Sequence, residues 1–473
     1  MILLTVCTFI LLYGLVQYCI GRKGRGAFVF FFFLTEGFHF LSLSWCPVKY
    51  ADFAVVYLLV VALLNIVKGN LAFFRPQIKI YKVATIIGLY ITLEFIRTIV
   101  LKEEIFSFAL ANYRTYIPLF SFWLVQELKG RDIKRLLKQI ALITIVSTLL
   151  FDLQPFLEIK ILQHANIGER VNASGFVRYR NIPYLAYFFM LFATIRLDFF
   201  RWKTIIFVLV FLIAVVLTQH RAVMMAYIFC VGLYLLISRT DGKFVQYGII
   251  GLVFFLFAGE AIISRFESGK QNRSTLNDIR NVINMDFGSA AYEEFDIANG
   301  TLSFRVFLLM ERINYIVNNP RYTAFGIGTR HEDSPKTQQF HFYIGTSSHR
   351  TNSIGQISSG DLAWVNPLMR FGFLGIALLL YLSWVIITFF YKNRNVSNVT
   401  TAAFLFYLFL VLISFKNDHL YGNMQMFFVY LLIEYVRFYN RRLKIIRILQ
   451  HFKRKRKISN IKLSIGGIFS APN

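Results

Sequence analysis

Charged residues are scarce in this sequence. Only 16% of its 473 residues are Asp, Glu, Lys or Arg, compared with about 25% in an average soluble protein. The apolar residues form continuous windows that are long enough to cross a hydrocarbon core of roughly 30 Å. Continuous windows exclude a disordered chain, and they argue against a membrane barrel, whose strands alternate apolar and polar residues. The sequence therefore predicts an all-α, polytopic helical membrane protein.

Cysteine is also scarce, and several catalytic signatures are absent. The four cysteines have no Cys-x-x-Cys spacing, so neither a disulfide framework nor a zinc site is expected. The lack of a Walker A sequence excludes an ATP-driven transporter whose motor lies in the same chain. No Asp-x-Asp pair offers the carboxylates that a metal-dependent sugar-nucleotide enzyme uses. We therefore expect chemistry that runs on arginine and histidine, without a metal or a cofactor.

Positive charge exceeds negative charge by a wide margin, with 51 Lys and Arg against 25 Asp and Glu. In a soluble protein this excess would suggest a nucleic-acid partner. Here the cations lie beside the ends of apolar windows, as the positive-inside rule expects of cytoplasmic segments, so no nucleic acid is expected. The basic segments that define the predicted cytoplasmic side are Arg22–Arg25, Lys68–Lys82, Lys129–Lys138, Arg201–Lys203, Arg239–Lys243, Lys392–Arg394 and the C-terminal tail.

Thirteen apolar windows are predicted to span the bilayer, with the N-terminus outside. Ten lie within 1–262, which also contains a cationic extracytoplasmic loop at 158–181. A large extracytoplasmic loop covers 263–363, three further spans lie in 364–438, and 439–473 form a basic cytoplasmic tail. Loops as long as 263–363 are usually functional, which directs attention to this region.

An amphipathic helix is predicted at the centre of the large loop, from Leu302 to Val317. Its apolar positions Phe304, Leu308, Ile313 and Val317 are expected near one face, with Arg305, Glu311 and Arg312 elsewhere. The segment Asn318–Pro320 is predicted to end the helix. Gly326-Ile327-Gly328, which follows, lacks the third glycine of a dinucleotide site and is interpreted as a turn.

Arginines on the extracytoplasmic side are the first candidate site residues. Arg178 and Arg180 precede the span that begins near Ile182, and Arg221 lies between two apolar helices. A guanidinium fork matches two phosphate oxygens at once, so these arginines are candidates for binding a diphosphate. The alternative is that they anchor helix ends at lipid headgroups. For Arg221, in a very short turn, the functional interpretation is favoured.

The second candidate group lies in the large loop. His349 and Arg350 are followed by Asp361, and Arg305 lies on the preceding helix. Histidine transfers protons near neutral pH, and Asp361 offers a second proton acceptor. Alternatively, His349 is a solvated loop histidine and Arg305 belongs to a solvated helix face.

Ionisable residues inside predicted spans are candidates by default, because burying charge in a membrane is costly. Four such residues lie in the N-terminal part: Glu36, His39, Glu94 and Arg97. The spacing of Glu94 and Arg97 favours a structural ion pair on one helix face.

The order of these features resembles the Wzy-type O-antigen polymerase and O-antigen ligase superfamily over roughly residues 158–391. The likeness rests on short motifs: Arg178-Tyr179-Arg180-Asn181-Ile182-Pro183, Thr218-Gln219-His220-Arg221-Ala222, Asn319-Pro320, Phe325-Gly326-Ile327-Gly328, His349 to Ser353, Gly360-Asp361-Leu362-Ala363-Trp364 and Phe371-Gly372-Phe373-Leu374-Gly375.

The resemblance implies a metal-independent GT-C glycosyltransferase that acts on undecaprenyl-diphosphate-linked oligosaccharide at the outer face of the cytoplasmic (inner) membrane. It assigns the family's arginine after a helix to Arg221, its loop histidine to His349 and its loop-helix arginine to Arg305. A chain-length regulator protein is an implied partner. One departure concerns His349: Arg350 and Thr351 stand between it and Asn352, whereas the family's histidine is often followed directly by asparagine.

Three functions remain open at this point. A polymerase would transfer a growing glycan from one lipid carrier onto the next repeat unit. A ligase would use the same residues to move finished glycan onto lipid A core or another acceptor. A flippase for lipid-linked oligosaccharide would be expected to show two similar halves, which this sequence lacks. The asymmetry favours an enzyme, and the Gly360–Trp364 segment resembles polymerases more than ligases.

Overall fold

The structure is a computed structural model that describes residues 2–38, 40, 49–162, 167–170, 177–179, 182–183, 185–197, 201–218, 220–238, 248, 301–345, 355–357, 362–415, 420 and 423–466. The N-terminal helices are α1 (Ile2–Cys19), α2 (Lys23–Leu34), α3 (Tyr50–Val67), α4 (Lys79–Val100), α5 (Phe106–Tyr113), α6 (Phe122–Gln126) and α7 (Gly130–Leu157). Next come strands β1 (Ile167–Arg170) and β2 (Val177–Tyr179) and helices α8 (Ala186–Ile195), α9 (Trp202–Thr218) and α10 (Arg221–Ser238). The C-terminal helices are α11 (Thr301–Asn318), α12 (Pro320–Thr323), α13 (Val365–Lys392), α14 (Asn398–Ile413) and α15 (Asn423–Gly466).

The architecture is largely helical, as the composition predicts. Within the described ranges, α1, α3, α4, α7 and α13 are long and apolar enough to cross a membrane, and α8, α9, α10 and α14 are shorter apolar helices. The predicted total of thirteen spans stays a prediction. The 158–181 loop departs from a purely helical fold, because β1 and β2 pair antiparallel with Ile167 opposite Tyr179.

Helix α15 runs through 439, the predicted start of the basic tail, and ends at Gly466. One predicted placement differs from the structure. Glu36 was expected inside a span, but it lies in the turn after α2 with a left-handed φ of 51°. Glu36 is only partly buried at this helix end, which lowers the cost of placing a charged group beside the apolar bundle. His39 lies outside the described residues.

One end of the bundle, here called the basic end, collects the cationic helix termini. Lys23 pairs with Glu127 at 2.8 Å, which joins the α1–α2 turn to the end of α6. Arg437 of α15 donates to Gln77, which precedes α4, at 3.1 Å. Asn440 donates to Asn393, which follows α13, at 2.8 Å. Segments from four basic clusters therefore meet at the same end.

The opposite end, here called the loop end, receives the polar chain after α11. Helix α4 connects the two ends, because Tyr81 donates to Glu434 of α15 near the basic end and Arg97 donates to the Gly326 carbonyl at 3.1 Å. Arg114 pairs with Asp52 at 2.9 Å and joins α3 to the end of α5 at this level. The bundle thus separates a basic end from an end that carries the large loop.

Helix α13 is broken near the loop end, and the break holds the Phe325–Gly328 motif. Gly372 has φ 58° and ψ −162°, so the α-helical hydrogen bonds are interrupted there. The backbone of the motif fills the gap: Ile327 N–H donates to the Met369 carbonyl at 2.8 Å, and Leu374 N–H donates to the Ala324 carbonyl at 3.1 Å. This contact, here called the glycine joint, fixes the large loop to a helix that is long and apolar enough to cross a membrane.

Both glycines of the joint are required by its geometry. Gly326 has φ 69°, and a Cβ there would lie 2.5 Å from the Arg370 carbonyl carbon. A Cβ on Gly372 would lie 2.6 Å from the Ala324 carbonyl oxygen. Any larger residue would combine left-handed backbone strain with backbone overlap. The glycines therefore serve the close approach of two chain segments, and the motif is a turn.

Candidate active site

A buried ion pair forms the base of the loop that contains His349 and Arg350. Glu311 and Arg312 are neighbours on α11 and pair with each other, and Arg312 is only 1% exposed. Glu311 accepts the backbone N–H groups of Tyr343 at 2.8 Å and Ile344 at 3.3 Å. Because each group of the pair also has backbone partners, the cost of burying two charges is offset by hydrogen bonds.

The chain that follows the loop, residues 355–357, is held by Arg312 of this pair and by Glu332. Arg312 donates to the carbonyls of Gly355 at 3.2 Å and Gln356 at 3.4 Å, and its guanidinium lies 4.3 Å from the centroid of the Phe342 ring. Glu332 accepts the N–H groups of Gln356 at 2.5 Å and Ile357 at 2.9 Å. Two anionic groups and one cationic group thus fix the backbone at both ends of the loop.

The two ends of the loop also contact each other directly. Phe342 N–H donates to the Gln356 side-chain oxygen at 2.9 Å, and the Gln356 amide donates back to the Phe342 carbonyl at 3.4 Å. We call the unit formed by Glu311, Arg312, Glu332, Phe342 and Gln356 the loop base. His349 and Arg350 lie outside the described residues, between these two anchored ends.

Burial perturbs the charged groups of the loop base. Burial raises the pKa of Glu311, although Arg312 and the two backbone donors oppose the shift. Burial lowers the pKa of Arg312 to about 10, against the attraction of Glu311 and Glu332. Arg312 therefore remains charged at neutral pH.

Asp361 lies outside the described residues, but the chain directly after it is firmly held. Leu362 and Ala363 are buried. Ala363 N–H donates to the Ser414 carbonyl at 3.0 Å, and the Trp364 indole N–H donates to the Ser414 hydroxyl at 2.9 Å. Ser414 caps the C-terminal end of α14. The chain is therefore anchored to the end of α14 from Ala363 onward.

Arg305 belongs to the same structural unit as the loop base. It lies seven residues before Arg312 on α11, and this spacing puts the two on the same face of the helix, two turns apart. Its side chain is half-buried. The structure thus brings Arg305 onto the helix that anchors the loop of His349 and Arg350.

The described contacts do not connect the remaining candidates with this unit. Arg178 lies in β2, between Val177 and the buried Tyr179, and Arg180 lies outside the described residues. Arg221 is the first residue of α10. That helix packs on α8 and α14 through a Thr194–Tyr227 hydroxyl contact of 2.8 Å and a Cys230 thiol that donates to the Leu405 carbonyl at 3.6 Å.

The amphipathic helix predicted in the large loop is present, but its buried face differs from the expected one. Phe304, Leu308 and Ile316 are buried together with Glu311 and Arg312, whereas Val317 is 51% exposed. The expectation that Arg312 lies off the buried face was therefore wrong. The physical reason is that the loop backbone offers hydrogen-bond partners to both charges, which an apolar pattern cannot reveal.

A second polar cluster at the loop end was only partly expected from the sequence. The predicted pair of Glu94 and Arg97 is confirmed, with Nε to Oε2 at 2.8 Å. Glu103 extends it, since this carboxylate pairs with Arg97 at 3.6 Å and Arg321 at 2.5 Å. Arg370, whose Nε donates to the Arg330 carbonyl at 3.3 Å, was missed. An arginine in the apolar window of α13 was the available signal.

His331 lies beside this cluster and favours its neutral form. Burial and the positive charges of Arg370 and Lys49 lower its pKa, against Asp333 and Glu104, which raise it. The His331 Nδ1 accepts the Asp333 backbone N–H at 3.2 Å, and the Glu104 carboxylate accepts the His331 backbone N–H at 3.3 Å. This histidine therefore has a structural position between α4 and the large loop.

Comparison of the sequence with protein-family models and with curated proteins finds no match. In the part of the chain that the structure describes, no group of three or more His, Cys, Asp or Glu residues is arranged to hold a metal ion.

Proposed function

We propose that this chain is a polymerase of lipid-linked oligosaccharide repeat units, such as those of O-antigen or a related surface polysaccharide. It would be a metal-independent GT-C glycosyltransferase with thirteen spans in the cytoplasmic (inner) membrane. The loop end would face the extracytoplasmic side, and the basic end would face the cytoplasm. The substrates are two undecaprenyl-diphosphate-linked glycans, and the proposal rests on the sequence resemblance together with the loop base.

In the proposed reaction, a hydroxyl of the acceptor repeat unit attacks the anomeric carbon of the donor glycan. The bond from that carbon to the diphosphate oxygen breaks, and its electron pair leaves with undecaprenyl diphosphate. The hydroxyl proton passes to His349 or Asp361 acting as general base. Arg178, Arg180, Arg221, Arg305 and Arg350 are assigned to the diphosphate and the glycan, because guanidinium groups stabilise developing phosphate charge without a metal.

The observation that supports this proposal most strongly is the loop base. His349 and Arg350 lie between two chain ends that Glu311 and Arg312 fix to one helix. The same helix carries Arg305. General acid–base and electrostatic catalysis both require groups that are held in place before reaction, so an anchored polar loop fits catalysis better than a solvated linker.

The test uses cells that lack this chain, complemented with wild type or variants, and reads surface glycan on gels. Wild type is expected to restore a ladder of repeat lengths. The Arg221→Ala and His349→Ala variants are expected to leave a single repeat unit on its lipid anchor, at unchanged membrane level. Matched controls are Arg201→Ala, an exposed arginine before α9, and His341→Ala, an exposed loop histidine. Both controls should keep the ladder.

The same gels distinguish the ligase alternative, which shares the site and differs in its acceptor. If deletion leaves long glycan on the undecaprenyl carrier that never reaches its acceptor, the chain is a ligase and the polymerase proposal fails. If deletion changes neither ladder nor carrier-bound glycan, the chain does not act on these substrates.

A further inference from the structure

A cavity of about 280 Å³ lies at the basic end, between the α1–α2 turn and the first turns of α7. Its polar lining contains three guanidinium groups and one carboxylate, from Arg22, Arg25, Arg135 and Asp132. The two walls touch closely, because a Cβ on Gly24 would lie 2.9 Å from the Asp132 Cβ. The cavity is therefore a cationic pocket at a tight junction of three helices.

The chemistry of the pocket selects an anion. Arginine forks bind phosphate oxygens two at a time, and three of them outnumber the single acidic group. The three arginine side chains are exposed, so they are available to a ligand. Arg25 donates to the Gln17 side-chain oxygen at 3.5 Å. Basic pockets between helices on the cytoplasmic side of a membrane commonly bind lipid headgroups.

The surface next to the pocket is apolar, which favours a lipid over a free anion as the ligand. Arg135 and Gln139 line the pocket, and the same face of α7 continues away from it at helical spacing. All four residues at the continuing positions are exposed and apolar: Leu142, Val146, Leu149 and Leu153. A similar exposed apolar row runs along α1 toward Gly21: Phe9, Tyr13, Val16 and Ile20.

We propose that this pocket binds the phosphate headgroup of an anionic phospholipid, with the acyl chains lying along the apolar rows of α7 and α1. The arginines neutralise the headgroup, and the apolar rows bury the first methylene groups. A free phosphate would use only the polar half of this surface. The inference does not depend on the proposed glycosyltransferase function, because the pocket lies at the opposite end of the bundle from the loop base.

The experiment measures lipid binding to the purified full-length protein by native mass spectrometry, with titrated phosphatidylglycerol and, separately, phosphatidylcholine. The test variant is Arg22→Gln/Arg25→Gln/Arg135→Gln. The charge-matched control is Lys68→Gln/Arg75→Gln/Lys82→Gln, which removes three exposed cations near the same end but outside the pocket. Wild type and control are expected to prefer phosphatidylglycerol over phosphatidylcholine at least tenfold, and the test variant should lose this preference.

A competition arm separates the two sources of phosphate. Inorganic phosphate at a hundredfold excess over the lipid should leave the phosphatidylglycerol adduct unchanged in wild type. Displacement of the lipid by inorganic phosphate would overturn the assignment to a lipid headgroup. Equal loss of the preference in the test variant and the control would show that net charge, and not the pocket, attracts the lipid, and would overturn the site.

Discussion

The loop base makes a quantitative prediction about the Arg312→Met variant. Arg312 is 1% exposed and holds Glu311 together with the Gly355 and Gln356 carbonyls. Its removal leaves a buried carboxylate without its cation, a change that costs about 3–5 kcal/mol in the free energy of unfolding. Methionine replaces much of the apolar stem, so little of this cost comes from a cavity.

A double-variant cycle isolates the contribution of charge. In Glu311→Gln/Arg312→Met no buried charge remains, and the glutamine oxygen can still accept the Tyr343 N–H. We therefore expect the double variant to be about 1–2 kcal/mol more stable than Arg312→Met alone, because an unpaired buried charge costs more than an unpaired polar group. The two single variants and the double variant give the coupling free energy directly.

The assay is reversible unfolding in mixed micelles with increasing denaturing detergent, followed by tryptophan fluorescence. Limited proteolysis between Phe342 and Gln356 gives a local readout, since loss of the anchors should speed cleavage there. The reasoning is refuted if Arg312→Met costs less than about 1 kcal/mol, a value typical of an exposed ion pair. It is also refuted if the double variant is no more stable than Arg312→Met.

Four further results are expected. Arg221→Ala should abolish glycan transfer without loss of membrane insertion, as the ladder assay and a membrane-fraction blot would show. His349→Ala should also lose transfer, and recovery of its activity at high pH would support the role of general base. Gly326→Ala should destabilise the protein by roughly 2–4 kcal/mol in the same unfolding assay, because left-handed strain adds to backbone overlap. Gly69→Ala, with φ 67° but no atom within 4 Å of the added Cβ, should cost only about 1–2 kcal/mol. Finally, folding lowers the pKa of His331, so its contribution to the free energy of unfolding should be fully present above about pH 6.5. That contribution should be lost as the pH falls through the folded pKa. His331→Gln should remove this pH dependence.

Specific outcomes would contradict these expectations. A normal ladder from Arg221→Ala would remove that residue from the site. Loss of His349→Ala from the membrane fraction would make its role structural. Equal costs for Gly326→Ala and Gly69→Ala would show that the glycine joint tolerates a Cβ. A His331→Gln variant that keeps the full pH dependence would assign it to another group.

The helical membrane class and the segregation of cationic helix ends could be predicted from sequence, because hydropathy and charge position act locally along the chain. The Glu94–Arg97 pair was predictable for the same reason, since its partners are one helical turn apart. The loop base was not predictable. Its partners are up to 44 residues apart, and only the fold shows that Arg312 meets the Gln356 carbonyl.

In the candidate site, too, local sequence pattern predicted some features, whereas contacts between distant residues became visible only in the fold. The sequence identified Arg305 by its place on a predicted helix, and the structure adds that Arg312, two turns away, anchors the loop. Arg370 was missed because its partner, the Arg330 carbonyl, lies in a segment with no regular pattern. The turn predicted at Gly326-Ile327-Gly328 is present, but only the fold shows that Gly326 meets Gly372 in a backbone contact.

The closed loop base has a consequence for how such a protein can diversify. Phe342 and Gln356 meet directly, so the thirteen residues between them leave and return at one point. Once that closure exists, doubling the number of enclosed residues adds only about 0.6 kcal/mol of entropic cost. Insertions, deletions and substitutions between the two anchors would therefore leave the membrane bundle nearly unaffected. Selection can then alter this segment while the rest of the chain keeps its architecture.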